Sequence, residues 1–275
     1  MTVLRAKTVD GMRIVTWNVW WRFGGNWRER EPRIVSRLRD LAPDVVGLQE
    51  VWAAAGVTQA DLIADALGMH AAFAAPSLPP PPDPPESPDQ MGVVLGSGLV
   101  SRWPILEVSH RRLPSTHRAF EPVMLLATLD HPAGPLHVLT GDTEWEPAHA
   151  DDHLAQTRRL AELATDPALD GPLPVLVAAD LNAAPDSVEM QPLLEVMTDT
   201  WTAGGGDPRG RTLRSEHPFA PLEARKQLDR RIDYVLARPG RPGGTVDVRR
   251  AFSVGDPEDG LHPSDHDAVV IDLAP

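Results

Sequence analysis

Short apolar runs alternate with amphipathic segments along the chain, and several of the runs end near a polar residue. The clearest predicted strands are residues 12–19, 44–51 and 174–182, each of which has Asn, Glu or Asp within its last three positions. Between the first two, apolar residues recur at helical spacing from 34 to 41. A strand, helix and strand with polar strand ends is typical of an α/β unit, in which sites gather at strand termini.

Helix starts are predicted from their capping residues. Asn26 and Glu29 have the spacing of a capping box, although a nearby proline indicates that the regular helix begins closer to Glu31. Asp151 is predicted to cap a helix over residues 153–164. Two shorter helices are predicted over residues 58–68 and 188–196.

From Met91 the pattern changes to short strands separated by turns, which is typical of half an antiparallel sandwich. These strands are predicted over residues 92–100, 105–112, 122–129 and 136–140, and two more follow at 234–237 and 268–273. No change in composition marks a linker. We therefore expect an α/β fold in which residues 1–275 form a single domain, with two packed sheets and outer helices.

A proline-rich segment spans residues 76–88. It is either an insertion over the mouth of a site or a solvated connector. We favour the connector, because proline-rich loops are commonly linkers. Trp20, Trp21 and Trp145 lie in predicted loops, where each is either a core residue or a side chain that stacks on a substrate group.

Composition narrows the function classes. The net charge is −13, which disfavours a high-affinity nucleic-acid binder without excluding a local basic patch. The chain has no cysteine, so disulfides, thiolate metal sites and a cysteine nucleophile are excluded. No run of about 18 apolar residues predicts a membrane span. The first residues have no signal-peptide pattern, so a cytoplasmic monomer is the default expectation.

Seven polar residues lie at the ends of apolar strands, and together they indicate a site. A single strand-end carboxylate is more often a cap or turn residue, but a set of this size is harder to explain in that way. Oxygen ligands of this kind suit a hard cation such as Mg²⁺, with Mn²⁺ or Ca²⁺ as alternatives. The residues are Asn18, Glu50, Asp180, Asn182, Asp233, Asp265 and His266.

Phosphoester hydrolysis is the chemistry that suits these groups. Asp180 can orient or deprotonate an attacking water, and Asn182 can donate to a phosphoryl oxygen. His266, oriented by Asp233, can act as a general acid or base. The cation would be held by Glu50, Asp265 and the Asn18 amide, together with waters and a phosphate oxygen.

The motifs that contain these residues resemble the endonuclease/exonuclease/phosphatase superfamily, which has a deoxyribonuclease-I-like fold. They are residues 16–19, 48–51, 98–105, 179–182, 231–234 and 264–266. The resemblance covers essentially the whole chain. It implies a four-layer α/β-sandwich, with two packed mixed β-sheets flanked by helices, and Glu50 as the principal Mg²⁺ ligand. It also implies that Asn18 and Asp265 lie near that ligand, that Asp180 and Asn182 lie at the scissile phosphate, and that Asp233 pairs with His266.

One position departs from that resemblance. Many members carry a second histidine in a Thr-His-Leu motif, where our alignment gives Asp142. An ionised carboxylate there would repel a phosphate. Either the substrate is unusual, or a further cation binds there, or the acid comes from His117, His149 or His153.

Three functions remain open. The leading one is a Mg²⁺-dependent phosphoesterase acting on a small or lipid-like phosphoester. The runner-up is a metal-dependent nuclease, which would need arginines along one groove. The candidates are Arg22, Arg28, Arg30, Arg111, Arg112 and Arg118. The third is a non-catalytic binding module of the same fold.

Overall fold

The computed structural model describes residues 11–222, 224 and 226–274. The first residues, from which the cytoplasmic expectation came, lie outside this part. The strands are β1 (Met12–Asn18), β2 (Val45–Ala54), β3 (Val57–Thr58), β4 (His70–Ala74), β5 (Val94–Ser101), β6 (Ile105–Arg112), β7 (Val123–His131), β8 (Gly134–Asp142), β9 (Val175–Asp180), β10 (Thr198–Asp199), β11 (Asp233–Arg238), β12 (Val248–Val254) and β13 (Ala268–Leu273). The α-helices are α1 (Trp27–Leu41), α2 (Gln59–Leu67), α3 (Ala150–Ala164), α4 (Gln191–Leu194) and α5 (Thr200–Ala203).

These strands form two mixed sheets, as predicted. The first has the order β12-β13-β1-β2-β5-β4, with β3 paired to β2. The second has the order β10-β11-β9-β8-β7-β6. Each sheet contains one parallel pair, β1 with β2 and β8 with β9, and the other pairs are antiparallel. The parallel pairs bring the carboxyl ends of β1 and β2, and of β8 and β9, to one edge of each sheet.

The two sheets pack face to face around an apolar core, and helices cover their outer faces. Val45, Ala178 and Val269 belong to the buried layer between the sheets. The sheets approach closely at Gly47, where an added Cβ would lie 2.7 Å from the Ala178 carbonyl oxygen. Buried clusters under α1 and α2 on one side and under α3 on the other complete the α/β-sandwich.

Two helix starts differ from the prediction. Helix α1 begins at Trp27, and Asn26 makes no capping hydrogen bond through its side chain. Asn26 instead adopts a left-handed backbone with φ 66°, which asparagine tolerates better than most residues. Helix α3 begins at Ala150, and Asp151 lies in its first turn rather than capping it. A single 3₁₀ turn leads directly into α3 and leaves no extended residue for a side-chain cap.

The middle strands divide between the sheets. Strand β5 pairs with β2 and β4 in the first sheet, whereas β6, β7 and β8 form an antiparallel meander in the second. The predicted helix over residues 188–196 is a 3₁₀ turn followed by the single turn of α4. Sequence pattern located these elements, but it did not assign them to a sheet.

The proline-rich segment (residues 76–88) is not a simple solvated connector. Ser77 and Leu78 are each 1% exposed, so the segment begins inside the protein. Its exposed residues come later, around Asp83. The interpretation that we favoured is therefore wrong for the first part of this segment.

None of the helices in the described part of the chain is both long and apolar enough to cross a membrane.

Candidate active site

Three aspartates lie in one row across the second sheet. Asp142 at the end of β8 is in register with Asp180 at the end of β9, and Asp180 is in register with Asp233 at the start of β11. Residues directly opposite on neighbouring strands point to the same face. That face is the one turned toward the first sheet, because the Cβ of Ala178, two residues before Asp180, lies against Gly47 of β2.

Asn18 connects the two sheets at this edge. Its Nδ2 donates to Glu50 Oε1 at 2.9 Å and to Asp180 Oδ2 at 3.1 Å. Its Oδ1 accepts from the Trp20 backbone N–H at 2.9 Å, which fixes the orientation of the amide. The amide nitrogen faces the carboxylates, so this geometry differs from the expected oxygen ligand. Asn18 instead holds Glu50 and Asp180 in position.

Glu50 lies at an irregularity within β2 and not at its end. The pairing of β2 with β5 shifts register between Leu48 and Val51, and Glu50 has φ 54°. A bulge of this kind changes the direction of a side chain and is common beside active sites. The strand could be predicted from its apolar residues, but the bulge could not, because β-branched and apolar residues continue on both sides of it.

His266 precedes β13 and is held by contacts on several sides. Its Nδ1 lies 3.0 Å from Asp233 Oδ2 and 3.9 Å from Asp180 Oδ2. Its backbone N–H donates to Ser264 Oγ, and its carbonyl accepts from the Trp17 indole at 3.0 Å. With Nδ1 bound to Asp233, Nε2 is the ring atom left to meet a substrate.

Burial and crowding shift the proton affinities of the site. Burial and the neighbouring charge of Asp265 raise the pKa of Glu50, and burial and Asp233 raise the pKa of Asp180. Burial also raises the pKa of Asp265. Burial disfavours the charged form of His266, but the charges of Asp233 and Asp265 outweigh it and raise its pKa well above the ordinary value.

Several buried carboxylate oxygens in this group have no hydrogen-bond partner. They are Glu50 Oε2, Asp142 Oδ1 and Asp233 Oδ1. Asp180, Asp233 and His266 can also bring three ligand atoms within 4.8 Å of one another. Unpaired buried oxygens are costly, and carboxylate oxygens suit a hard cation. Glu50 combines an unpaired buried oxygen with the nearby charge of Asp265, so these two carboxylates fit a divalent cation.

Asn182 occupies a left-handed turn directly after β9, with φ 49°. Its backbone N–H donates to Asp180 Oδ1 at 3.0 Å, and its Nδ2 donates to the Thr143 carbonyl at 3.0 Å. The Asp180-x-Asn182 motif is thus a local turn that orients both side chains. One N–H of the Asn182 amide remains for a ligand.

A cavity of about 460 Å³ opens over these groups. Five of the eight predicted site residues line it, namely Glu50, Asp180, Asn182, Asp265 and His266. Asn18, Asp142 and Asp233 lie behind them. The other lining residues are mostly apolar or aromatic and include Trp20, Phe23, Pro79, Pro80, Trp145, Leu213, Phe219 and Pro221.

The tryptophans divide between core and cavity. Trp20 stacks on Phe219, with ring centroids 5.0 Å apart and an interplanar angle of 26°. Trp145 also lines the cavity. Trp21 is 1% exposed and belongs to a buried cluster, so its role is packing.

Sequence reasoning missed two features of this site. Arg30 is buried and donates to the carbonyls of Val19, Trp20, Trp21, Phe23 and Pro263, which fixes the loop after β1. The loop that carries Leu213 and Phe219 forms one wall of the cavity. The sequence did not indicate this role of Arg30, because the hydrogen-bond partners of its side chain are backbone carbonyls. The loop's glycines and prolines indicated only a turn-rich segment.

The arginines considered for a nucleic-acid groove do not line the cavity. Arg28 pairs with Asp89, Arg112 with Glu121, and Arg118 with Glu144. Among the described residues that line the cavity there is no lysine or arginine.

The histidines considered as alternative acids also lie outside the cavity lining. His117 stacks on His149 at 4.6 Å, and His153 is buried against the Leu181 carbonyl, so neither group reaches the cavity lining.

Asp142 is turned away from the cavity. Its Oδ2 accepts from Ser77 Oγ and from Ser97 Oγ, the latter at 3.1 Å, and the residue is 2% exposed. Burial and the charge of Asp180 raise the pKa of Asp142 well above its ordinary value. This position therefore offers a buried carboxyl bound to two serines, not a group that contacts a phosphate in the cavity.

Solved structures with the same fold support this architecture. A humanized TDP2 from D. rerio, 18% identical, superposes with a TM-score of 0.74 over 96% of this chain and 99% of the other. TDP2 from D. rerio complexed with a single-strand DNA product, also 18% identical, gives 0.72 over 96% and 99%. An endonuclease/exonuclease/phosphatase from Beutenbergia cavernae, 25% identical, gives 0.69 over 96% of this chain and 72% of the other.

No curated protein matches the sequence significantly. The profile of the Endonuclease/Exonuclease/phosphatase family matches residues 15–266, which include the eight predicted site residues. On the length of that match and the shared fold, this chain belongs to the Endonuclease/Exonuclease/phosphatase family.

Proposed function

We propose that this protein is a Mg²⁺-dependent phosphoesterase that hydrolyses a small or lipid-like phosphoester. The proposal rests on one observation. A cluster of carboxylates and an imidazole lies at a cavity of about 460 Å³ whose other walls are mostly apolar and aromatic. A bound cation would supply charge neutralisation at the phosphoryl group. Glu50 and Asp265 would hold it, and Asn18 would keep Glu50 in place.

The protein's own groups divide the remaining work. Asp180, held by Asn18 and the Asn182 N–H, accepts a proton from the attacking water, and its raised pKa suits that role. Asn182 donates its remaining N–H to a phosphoryl oxygen. His266 holds a proton at Nε2 for the phosphoryl or leaving-group oxygen, while Asp233 stabilises the imidazolium.

The class of substrate follows from the cavity wall. Apolar and aromatic side chains bind an uncharged ester group by burial and stacking. Nucleic-acid grooves are lined by lysine and arginine, and such residues are missing from the described cavity lining. The net charge of −13 agrees with a substrate that carries little charge beyond its phosphate.

A metal-dependent nuclease is the second candidate. The finding that favours it is that a protein of the same fold, TDP2 from D. rerio, was solved with a single-strand DNA product. A non-catalytic binding module is disfavoured, because Asp180, Asn182 and His266, which could act on a phosphoryl group, line one cavity.

A metal-dependent panel tests the proposal. We expect purified protein with Mg²⁺ to hydrolyse small phosphodiesters or lipid-like phosphoesters, to lose activity with EDTA and to regain it with Mg²⁺. Glu50→Gln and His266→Ala should lower kcat by about 10²-fold to 10⁴-fold, in the range of acid–base and metal-site groups. The exposed residues Glu107 and His70 supply matched controls, since Glu107→Gln and His70→Ala should leave kcat unchanged.

Two outcomes of the panel would contradict the proposal. Faster turnover of single-stranded DNA or RNA than of any small ester would favour the nuclease. No Mg²⁺-dependent turnover in any class, from folded protein, would favour the binding module.

A further inference from the structure

We propose that Asp142 is a positioning residue that fixes the proline-rich segment as a wall of the substrate cavity. The effect on substrate binding rests on the proposed function, but the placement of the segment does not. Asp142 stands at the end of the aspartate row and binds the segment through Ser77. It therefore joins the floor of the site to one wall.

The contact at the start of the segment is a buried network of three side chains. Ser77 Oγ and Ser97 Oγ lie 3.1 Å apart, and both donate to Oδ2 of Asp142. Ser77, Ser97 and Asp142 are at most 2% exposed. The Pro76 carbonyl also accepts the Val123 N–H at 2.9 Å, which ties the same end to β7.

The far end of the segment is held independently. Gln90, 3% exposed, donates to the Arg22 carbonyl at 2.9 Å and accepts the Glu86 N–H at 2.8 Å. Between the two ends, Pro79, Pro80 and Glu86 line the cavity. A segment fixed at both ends presents these residues as a defined surface. Without the Asp142 contact, the segment would be held at this end only through the Pro76 carbonyl, and Pro79 and Pro80 would be less firmly placed.

The choice of side chain can be tested because a single oxygen of Asp142 makes both contacts. Asparagine keeps an oxygen at that position, whereas alanine removes it and leaves two buried serine hydroxyls with fewer partners. Substitution of a residue that positions a cavity wall changes substrate binding and therefore KM. Substitution of a residue that takes part in the chemistry changes kcat. Asn and Ala variants therefore separate the two roles.

The experiment compares Asp142→Asn, Asp142→Ala and Ser77→Ala, with the exposed Asp130→Ala as control. With Mg²⁺ and bis(4-nitrophenyl) phosphate, we expect Asp142→Ala and Ser77→Ala to raise KM about tenfold with kcat within about threefold of the parent. Asp142→Asn should restore KM to within about twofold. Thermal unfolding confirms that each variant is folded, and Ser77→Ala carries the test if Asp142→Ala does not fold.

A second measurement is independent of activity. Limited digestion by a glutamate-specific protease, followed by mass spectrometry, reports cleavage after Glu86. We expect faster cleavage there in Asp142→Ala and Ser77→Ala, and parental cleavage in Asp142→Asn and Asp130→Ala. If the protein hydrolyses no phosphoester, the proposed function fails, and the digestion still decides whether Asp142 holds the segment.

Two results would overturn the positioning role. One is an equal loss of kcat in Asp142→Asn and Asp142→Ala with KM unchanged, which would make Asp142 a catalytic carboxyl. The other is parental cleavage at Glu86 in both Asp142→Ala and Ser77→Ala, which would show that the segment is held without them.

Discussion

At the scale of single residues, the site depends on side chains whose partners are already fixed. The Asn18 amide has its oxygen bound to the Trp20 N–H, so only its nitrogen can face Glu50 and Asp180. His217 is a similar case in the cavity-wall loop. Its Nδ1 accepts the Phe219 N–H at 3.2 Å, and Phe219 in turn stacks on Trp20. One imidazole thus supports the aromatic wall.

His217 gives the molecule a predictable response to acid. Burial, followed by the nearby charges of His262, Arg214 and His266, lowers the pKa of His217 to about 4. In the unfolded chain a histidine titrates near about 6.5, so the unfolded state binds the proton first as the pH falls. This contribution to stability is present above about pH 6.5 and is lost between about 6.5 and 4.

The measurement is the melting temperature from pH 7 to pH 4. We expect His217→Asn, which keeps an acceptor near Phe219 and cannot titrate, to lose less stability over that window than the parent protein. The exposed His110→Asn should follow the parent curve. Parallel curves for parent and His217→Asn would show that His217 does not control this response.

The residues that the sequence predicts for the site belong to motifs that can be recognised along the predicted strands. Glu50, Asp180, Asn182, Asp265 and His266 all line the cavity. The orientation of Asn18 and the contacts of Asp142 could not be predicted. They depend on a backbone N–H of a loop and on two serines distant in sequence, and neither partner leaves a local pattern.

At the scale of elements, local sequence signals predicted the ends of a helix correctly where those signals are the main determinant of its ends. Thr58 and Asp61 form a capping box at the start of α2, and Gly68 ends that helix in a left-handed conformation. The start of α1 was predicted wrongly, because tertiary contacts determine where this helix begins. Arg30, in the first turn, binds carbonyls of the preceding loop, and these contacts fix where the helix begins.

The two helix starts should respond differently to substitution. Thr58→Ala removes a side-chain cap and should cost about 1 kcal/mol of unfolding free energy. Asn26→Gly should change it by less than about 0.5 kcal/mol, since the left-handed backbone suits glycine. Asn26→Val should cost about 1–2 kcal/mol, because a β-branched residue is strained at φ 66°.

Urea denaturation monitored by circular dichroism measures all three changes. A loss of about 1 kcal/mol or more in Asn26→Gly would mean that the Asn26 side chain contributes to the cap after all. The exposed substitution Arg39→Ala provides the baseline for a change on α1 outside its first turn.

At the scale of the whole molecule, periodicity predicted two sheets with helices outside, and the family motifs fixed how they pack. The distribution of charge over the surface was not predictable, because ion pairs such as Arg28 with Asp89 join residues far apart in sequence. In such pairs a carboxylate neutralises an arginine that, from composition alone, could bind a nucleic acid. The cavity lining consists mainly of carboxylates and of apolar and aromatic groups.

This distribution predicts a weak dependence of catalysis on salt. At fixed Mg²⁺, kcat/KM for a small phosphoester should change less than about twofold between 50 and 300 mM NaCl, because few counterions are released on binding. A nucleic acid held by several arginines or lysines would instead lose affinity by orders of magnitude. A steep fall in kcat/KM with increasing salt would therefore contradict the proposal that the ester group of the substrate is uncharged and apolar.

The left-handed backbone of Glu50 has a consequence for how sequences of this fold can change. A non-glycine residue with φ 54° costs about 1–2 kcal/mol, and the raised pKa of its buried carboxyl adds to that cost. Glycine at position 50 would relax the backbone and remove the charge. A library screened for folding alone should therefore drift away from glutamate at this position, whereas a library screened for turnover should keep it.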